Sequence, residues 1–214
     1  MPLSSSLFLR RRSLLLAALG GTMLGMTSRG FAADTAPTLP HIGIIGAGQV
    51  GGTLGRLWAR AGYPVMFSSR HPDELGQVVA AAGPNARAGS VEQAIAFADV
   101  VVLAVPYHAE PGIAHEYGAA LAGKILIDAD NAYPFRDGAL ARQARSEGVA
   151  RYSAHLFAGT RFVRAFNSVN ASALADGGGG DTEVLYSYTD DAAGAVVAEL
   201  IKATGSVPVR GHDL

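Results

Sequence analysis

The stretch Ile42-Gly43-Ile44-Ile45-Gly46-Ala47-Gly48-Gln49-Val50-Gly51 decides the fold of this 214-residue chain. An apolar run ends in a glycine-rich turn, after which Val50, Leu54 and Trp58 recur at helical spacing. A G-x-G-x-x-G motif that ends a buried strand and opens a helix is typical of loops that bind the pyrophosphate of a dinucleotide. The alternative is a glycine-rich turn that binds nothing.

Strand and helix patterns alternate after this motif. Short apolar runs predict strands at 41–46, 63–68, 99–105, 123–128, 161–166, 183–188 and 206–210. Periodic segments predict helices at 49–61, 72–82, 107–121, 138–147 and 190–203, and one that Ser90 caps and that ends at Phe97. We therefore expect residues 41–214 to form a single α/β domain with a doubly wound, mostly parallel sheet, the Rossmann NAD(P)-binding fold.

Each residue of the glycine loop has a role in the predicted binding site. Gly46 permits the tight turn, Gly48 lets the backbone approach the pyrophosphate, and Gly51 allows close packing of helix against strand. The helix N-terminus offers unpaired N–H groups and the positive end of its dipole to phosphate. The predicted phosphate-binding residues are Gly46, Ala47, Gly48, Gln49, Val50 and Gly51.

The end of the second strand predicts which dinucleotide binds. NAD-selective sites usually carry Asp or Glu about twenty residues after the loop, where it accepts from the ribose 2′-OH. Here the strand ends Phe67-Ser68-Ser69-Arg70-His71, without a carboxylate. Ser69 can donate a hydrogen bond to a 2′-phosphate, and Arg70 can bind it with a planar fork of donors. This favours NADP over NAD, the alternative being that Arg70 is a solvated loop charge.

From His41 onward the sequence resembles the deazaflavin (coenzyme F420)-dependent NADP oxidoreductases. The resemblance rests on five stretches, namely 42–54, Ser69-Arg70, 98–106, 123–131 and 164–168. It implies that Ala104, Val105 and Pro106 lie along the cofactor and that Asn131 lies near its nicotinamide end. It also implies direct hydride transfer between NADP and a deazaflavin- or flavin-like acceptor, with NADP and coenzyme F420 or a flavin as substrates.

No residue is predicted to be catalytic, because in such a reaction the two ring systems hold the chemistry and the protein supplies geometry. His108, His115 and His155 have no metal-binding spacing and are expected to be surface or helix residues. Asp128 and Asp130 follow a strand at the edge where open sheets bind ligands, so they either bind substrate or stabilise a loop.

Two other functions stay open. The domain could be an NADP-binding redox sensor or interaction module without turnover. It could also be an imine or hydroxyacid reductase that lacks its helical domain, although such enzymes normally place their catalytic residues on that domain and the sequence has no room for one after residue 210. The expected partner is a small-molecule redox acceptor, and a homodimer is compatible with the sequence.

Composition narrows the choice of partners. Residues 33–214 carry 13 of the 17 basic and all 18 acidic residues, a net charge of −5. A domain with this negative net charge has no overall electrostatic attraction for nucleic acid, so any phosphate group must be bound by a few specific residues. The chain has no cysteine, which excludes disulfides, thiolate metal sites and cysteine nucleophiles.

The N-terminal segment predicts export. Arg11-Arg12 precedes a short apolar run, Leu14–Leu19, and Gly30-Phe31-Ala32 suits a signal peptidase. We expect a twin-arginine signal peptide at 1–32, a linker at 33–40, a periplasmic or otherwise exported protein, and no membrane span in the mature chain. A general secretory signal and an uncleaved anchor helix are the alternatives.

Overall fold

One eight-stranded sheet organises the protein in a computed structural model, which describes residues 38–175 and 181–214. The predicted signal peptide lies outside the described residues, as does most of the predicted linker. The strands are β1 Ile42–Ile45, β2 Val65–Ser68, β3 Ala86–Gly89, β4 Val100–Leu103, β5 Ile125–Asp128, β6 Arg161–Ala165, β7 Glu183–Tyr188 and β8 Val207–Arg210.

The strand order is β3-β2-β1-β4-β5-β6-β7-β8. The chain therefore winds outward from β1 in both directions, and its order reverses between β1 and β4. All neighbouring strands pair in parallel except β6 and β7, which are antiparallel. The predicted doubly wound, mostly parallel Rossmann fold is confirmed, and the reversal point is where open α/β sheets bind ligands.

Eight α-helices flank the strands among the described residues. They are α1 Gln49–Arg60, α2 Gly76–Ala82, α3 Val91–Phe97, α4 Glu110–Leu121, α5 Pro134–Glu147, α6 Val149–Leu156, α7 Ala171–Ala175 and α8 Asp191–Ala203. Ser90 caps α3 as predicted, because its hydroxyl accepts from the Gln93 amide and the Gln93 side chain accepts from the Ser90 amide.

The core has two layers, one on each face of the sheet. Ile44 and Val102 point to the face covered by α1 and α8, where Trp58 is fully buried and its indole N–H donates to the Leu200 carbonyl at 2.8 Å. Val101 points to the other face, with α3, α4 and α6. Because β1 and β4 are buried on both faces, their sequences carry no polar side chain, and β5 is likewise apolar up to its last residue, Asp128.

Three elements were not predicted. Strand β3 reads Ala86-Arg87-Ala88-Gly89, which is small and charged because it is the sheet's edge strand. Helix α6 begins directly after Gly148, which does end α5 but at φ 88° turns the chain into a second helix. The five-residue helix α7 is too short to show a period.

Helix α5 begins at Pro134 rather than at the predicted Gly138. Gly138 has φ 62° and ψ −130°, so it kinks the helix instead of starting it. Proline at the first position favours the earlier start, since the missing N–H is not needed there. Within the described residues, no helix is long and apolar enough to cross a membrane.

Candidate functional site

Two adjoining cavities lie along the carboxyl edge of the sheet. The first, here called the loop cavity, measures about 510 Å³ and is lined by Gly46, Gly48, Ser69 and Arg70. The second, the Asn131 cavity, measures about 400 Å³ and includes Gln49, Val50 and Asn131 among its lining residues. The two share Ala104, Val105 and Pro106. Of the residues predicted to bind the cofactor, only Ala47 and Gly51 line neither cavity.

The glycine loop is closed on one side and open on the other. A Cβ at Gly46, whose φ is +98°, would lie 2.3 Å from the Ala104 carbonyl oxygen, and one at Gly51 would lie 2.0 Å from the Gly46 oxygen. A Cβ at Gly48 would meet nothing within 4 Å in the part of the chain that the structure describes. Gly46 and Gly51 therefore serve packing, whereas Gly48 leaves free space above the loop.

The open side coincides with the N-terminus of α1, whose N-cap is Gly48 and whose first turn holds no acidic residue. The first N–H groups of a helix lack intrahelical partners, and they carry the positive end of the dipole. With Gln49 and Val50 in that turn, the loop has the room and the polarity that a pyrophosphate needs.

Ser69 and Arg70 follow β2 and line the loop cavity. The Ser69 hydroxyl accepts from the His71 amide at 2.9 Å, which leaves its own proton free to donate. Arg70 is exposed, and within the described ranges its guanidinium forms no hydrogen bond or ion pair. The neighbouring carboxylates of Asp73 and Glu74 therefore do not neutralise it, and it is free to bind an anion.

Asn131 is held by a strained turn. The side-chain amide of Asn131 donates to the Asn167 carbonyl at 2.7 Å. The Arg136 guanidinium donates to the backbone carbonyl of Asn131, also at 2.7 Å. Phe166, the residue before Asn167, has φ 67°, an uncommon value for a bulky residue. It is buried against Trp58 with ring centroids 5.8 Å apart, so packing stabilises the turn that presents Asn167.

His108, expected to be a surface or helix residue, is half of a polar pair. Its Nδ1 lies 2.9 Å from the buried Asp137 carboxylate, which also accepts from Arg136 and from the Tyr133 amide. Burial alone would raise the pKa of Asp137, but hydrogen bonds from Arg136 and His108 hold it well below its usual range. This network stabilises the segment just after Ala104-Val105-Pro106, which lines both cavities.

A buried group of carboxyls was only partly foreseen. Asp128 and Asp130 were noted at the end of β5, but Glu110, at the start of α4, was not. Arg164, which interrupts the apolar sequence of β6, donates to the Asp128 carboxylate and to the Asp130 carbonyl. A charge inside a strand that is otherwise apolar was the sequence signal for this group.

A larger cavity, of about 710 Å³, lies at the opposite edge of the sheet near Pro40, Asp99 and Arg161. Those residues precede or begin strands. Ligands in open α/β sheets bind at the carboxyl ends instead, so the two smaller cavities are the better candidate.

Strand order and glycine loop together define a Rossmann-type α/β protein. Residues 41–132 match the family model described as "NADP oxidoreductase coenzyme F420-dependent". This match spans 92 of the 214 residues and confirms the resemblance drawn from the sequence.

Several solved structures are similar to this chain. A hypothetical protein from Sinorhizobium meliloti is 30% identical with a TM-score of 0.67, covering 79% of this chain and 83% of the other. A protein of Arthrobacter sp. FB24 described as an F420-dependent NADP reductase is 28% identical with a TM-score of 0.68, covering 80% and 84%. An imine reductase from Bacillus cereus BAG3X2 shares the fold and is 21% identical, with a TM-score of 0.61. The match covers 80% of this chain and 54% of the imine reductase.

Among curated proteins, the metalloreductase STEAP3 of Rattus norvegicus is 29% identical over 186 residues. The match covers 85% of this chain and 36% of the relative, so this chain spans about a third of that protein's length.

Proposed function

We propose that this protein binds NADP(H) across the two cavities and transfers hydride between it and a deazaflavin- or flavin-like acceptor. One observation carries the proposal: the loop cavity and the Asn131 cavity are both lined by Ala104, Val105 and Pro106. Gly46, Gly48 and Arg70 line the first cavity, and Gln49, Val50 and Asn131 line the second. A dinucleotide lying across Ala104-Val105-Pro106 would reach the lining residues of both cavities.

The free guanidinium of Arg70 supports NADP rather than NAD. Arg70 and Ser69 offer donors at the place where a 2′-phosphate would lie, and no carboxylate at the end of β2 would repel it. The role of the protein at this end of the dinucleotide is recognition, since the phosphate is remote from the transferred hydride.

An exposed aromatic pair supports a planar acceptor. Tyr133 lines the Asn131 cavity and is 40% exposed, and the neighbouring Phe135 is 88% exposed. Their rings stack at 5.3 Å with planes 26° apart. Exposed aromatic faces beside a cavity suit a ring substrate, because stacking orients it with little loss of conformational entropy.

The relatives point to the same class of acceptor. One structural relative is described as an F420-dependent NADP reductase, which favours a deazaflavin. The metalloreductase relative makes a metal ion the second acceptor to examine.

A turnover panel tests the proposal. NADPH oxidation is followed with coenzyme F420, FMN, a quinone and a ferric chelate as separate acceptors. We expect the fastest turnover with coenzyme F420 or FMN. Tight NADPH binding without turnover on any acceptor would instead support a sensing or interaction module, and reduction of cyclic imines alone would support the imine-reductase alternative.

We further propose that residues 1–32 direct export by the twin-arginine route, on the strength of Arg11-Arg12 and the small residues before Ala33. This route exports folded proteins, so NADP could be bound before export. N-terminal sequencing of protein from the exported fraction should begin at Ala33, and mass spectrometry should detect co-purified NADP. Retention of the intact N-terminus inside the cell would contradict export.

A further inference from the structure

A closed group of ionisable side chains lies beneath the Asn131 cavity. It comprises Glu110 on α4, Asp128 on β5, Asp130 just beyond β5, and Arg164 on β6, which are 0%, 0%, 3% and 6% exposed. One carboxylate oxygen of each acid lies within 4.8 Å of the others. A single guanidinium cannot neutralise three carboxylates, and excess buried charge is costly. The group therefore favours taking up a proton.

Two oxygens of this group have no hydrogen-bond partner among residues 38–175 and 181–214, namely Glu110 Oε1 and Asp130 Oδ2. The other oxygens are satisfied: Glu110 Oε2 accepts from the Ser153 hydroxyl and Asp130 Oδ1 accepts from the Val105 amide, both at 2.8 Å. Asp128 accepts from Arg164 and from the Asp130 amide. Buried polar atoms rarely stay unpaired, and a carboxyl proton would turn one of these acceptors into a donor.

Asp130 lies where a proton could serve the proposed reaction. Asp130 lines the Asn131 cavity together with Gln49 and Asn131, where the proposed function places the nicotinamide. Hydride transfer to a neutral ring leaves that ring negatively charged. The reduced acceptor then needs one proton, which the hydride donor does not supply.

We propose that Asp130 is a catalytic acid that gives this proton to the reduced acceptor, and that Glu110 restores it; the inference rests on the proposed function. The C4–H bond of the reduced nicotinamide breaks, and its hydrogen and electron pair form a new bond on the acceptor ring, to carbon in a deazaflavin and to nitrogen in a flavin. The Asp130 O–H bond breaks as an N–H bond forms on that ring. NADPH, acceptor and one proton thus become NADP⁺ and the doubly hydrogenated acceptor.

The electrostatics around the two acids agree with this role. Burial is the main cause that raises the pKa of Asp130 well above its usual range, and Asp128 adds to it, while the Val105 amide, Arg164 and Arg136 oppose it.

Burial also raises the pKa of Glu110 to about 10, with Asp128 and Asp130 adding to it and Ser153 and Arg164 opposing it. The phenol of Tyr107, bonded to the Ser153 hydroxyl at 3.1 Å, is a further ionisable group close to Glu110. Such groups keep a carboxylic acid protonated at neutral pH.

The test compares Asp130→Asn and Glu110→Gln with the wild type and with a surface control, Asp191→Asn, on the exposed first turn of α8. Each protein is assayed for NADPH binding and for kcat with coenzyme F420 and FMN between pH 5 and 10. Asp130→Asn should bind NADPH within about twofold of the wild type and lose about 10²–10³-fold in kcat, the range expected for a missing general acid.

The pH profile separates catalysis from structure. Wild-type kcat should fall at high pH, as the acid loses its proton; Asp130→Asn should lack this fall, and Glu110→Gln should shift it to lower pH. An infrared band of a protonated carboxyl should persist at pH 8 in the wild type and weaken in either variant. Asp191→Asn should match the wild type in every measurement.

Three results would overturn the inference. Wild-type rate and pH profile in Asp130→Asn would remove Asp130 from the reaction while leaving the proposed function intact. A wild type without turnover on either ring acceptor would overturn the proposed function and the acid role together. Loss of the wild-type activity on treatment with EDTA would mean that the carboxyls hold a cation rather than a proton.

Discussion

The Asp130 carboxylate accepts a hydrogen bond of 2.8 Å from the Val105 amide. This contact joins the turn after β5 to Ala104-Val105-Pro106 after β4, the segment that lines both cavities. Asp130 is also among the residues that line the Asn131 cavity. Geometry and charge at the proposed nicotinamide end are therefore coupled through one buried residue.

Replacing Arg70 with Ala should weaken NADPH binding about 10- to 100-fold, because charge-assisted hydrogen bonds to a phosphate contribute about 1.5–3 kcal/mol. NADH binding should change less than about twofold. Fluorescence titration with both nucleotides measures the difference. Arg142→Ala, at an exposed position on α5, is the control and should change neither. Equal losses for both nucleotides would show that Arg70 does not bind a 2′-phosphate.

Gly51→Ala should destabilise the protein by about 1–3 kcal/mol, as overpacking does. The new Cβ would lie 2.0 Å from the Gly46 carbonyl oxygen, so strand and helix would have to separate. Urea unfolding measures the effect. Gly118→Ala, in α4 with nothing within 4 Å of its Cβ, should instead stabilise the fold by about 0.5–1 kcal/mol. Similar effects of the two substitutions would refute the packing argument.

Asp137→Asn should lower the free energy of unfolding by about 3 kcal/mol at pH 7, since it breaks a buried charged network. The folded-state pKa of Asp137 is depressed, so its contribution is complete above its unfolded pKa near 4 and is lost as pH falls through the folded value. The wild type should therefore lose more stability than the variant when chemical unfolding at pH 7 is compared with that at pH 3. Parallel losses would contradict this role.

Glu110→Gln should flatten the dependence of stability on pH above neutrality. The folded pKa of about 10 exceeds the usual 4.5, so the folded state holds a proton that the unfolded state releases. Wild-type stability should then fall as pH rises between these values, by up to about 1.4 kcal/mol per pH unit. Denaturant midpoints at pH 6, 7.5 and 9 measure the slope. An unchanged slope in the variant would mean that Glu110 is ionised in the fold.

The sequence predicted the sheet and the glycine loop because both depend on local patterns. Asp99–Val105 is apolar on both faces, and the loop needs small residues at fixed spacing. It did not predict β3, whose Ala86-Arg87-Ala88-Gly89 has little strand preference and depends on pairing with β2.

Most of the binding residues predicted from the motif and the resemblance line two adjoining cavities. The contacts among the buried charged residues were not predicted. Glu110 and Asp128 are 18 positions apart in sequence and approach only after β4, α4 and β5 have assembled. The pairing of His108 with Asp137 across 29 positions depends on the same assembly. Spacing alone carries no signal for contacts of that kind.

Titration of the protein with NADPH, followed by nicotinamide fluorescence, tests the central claim most directly. We predict saturable binding of one NADPH per chain, with NADH at least about tenfold weaker because it lacks the phosphate that Arg70 would hold. Absence of saturable binding, or equal affinity for the two nucleotides, would contradict an NADP site on this glycine loop.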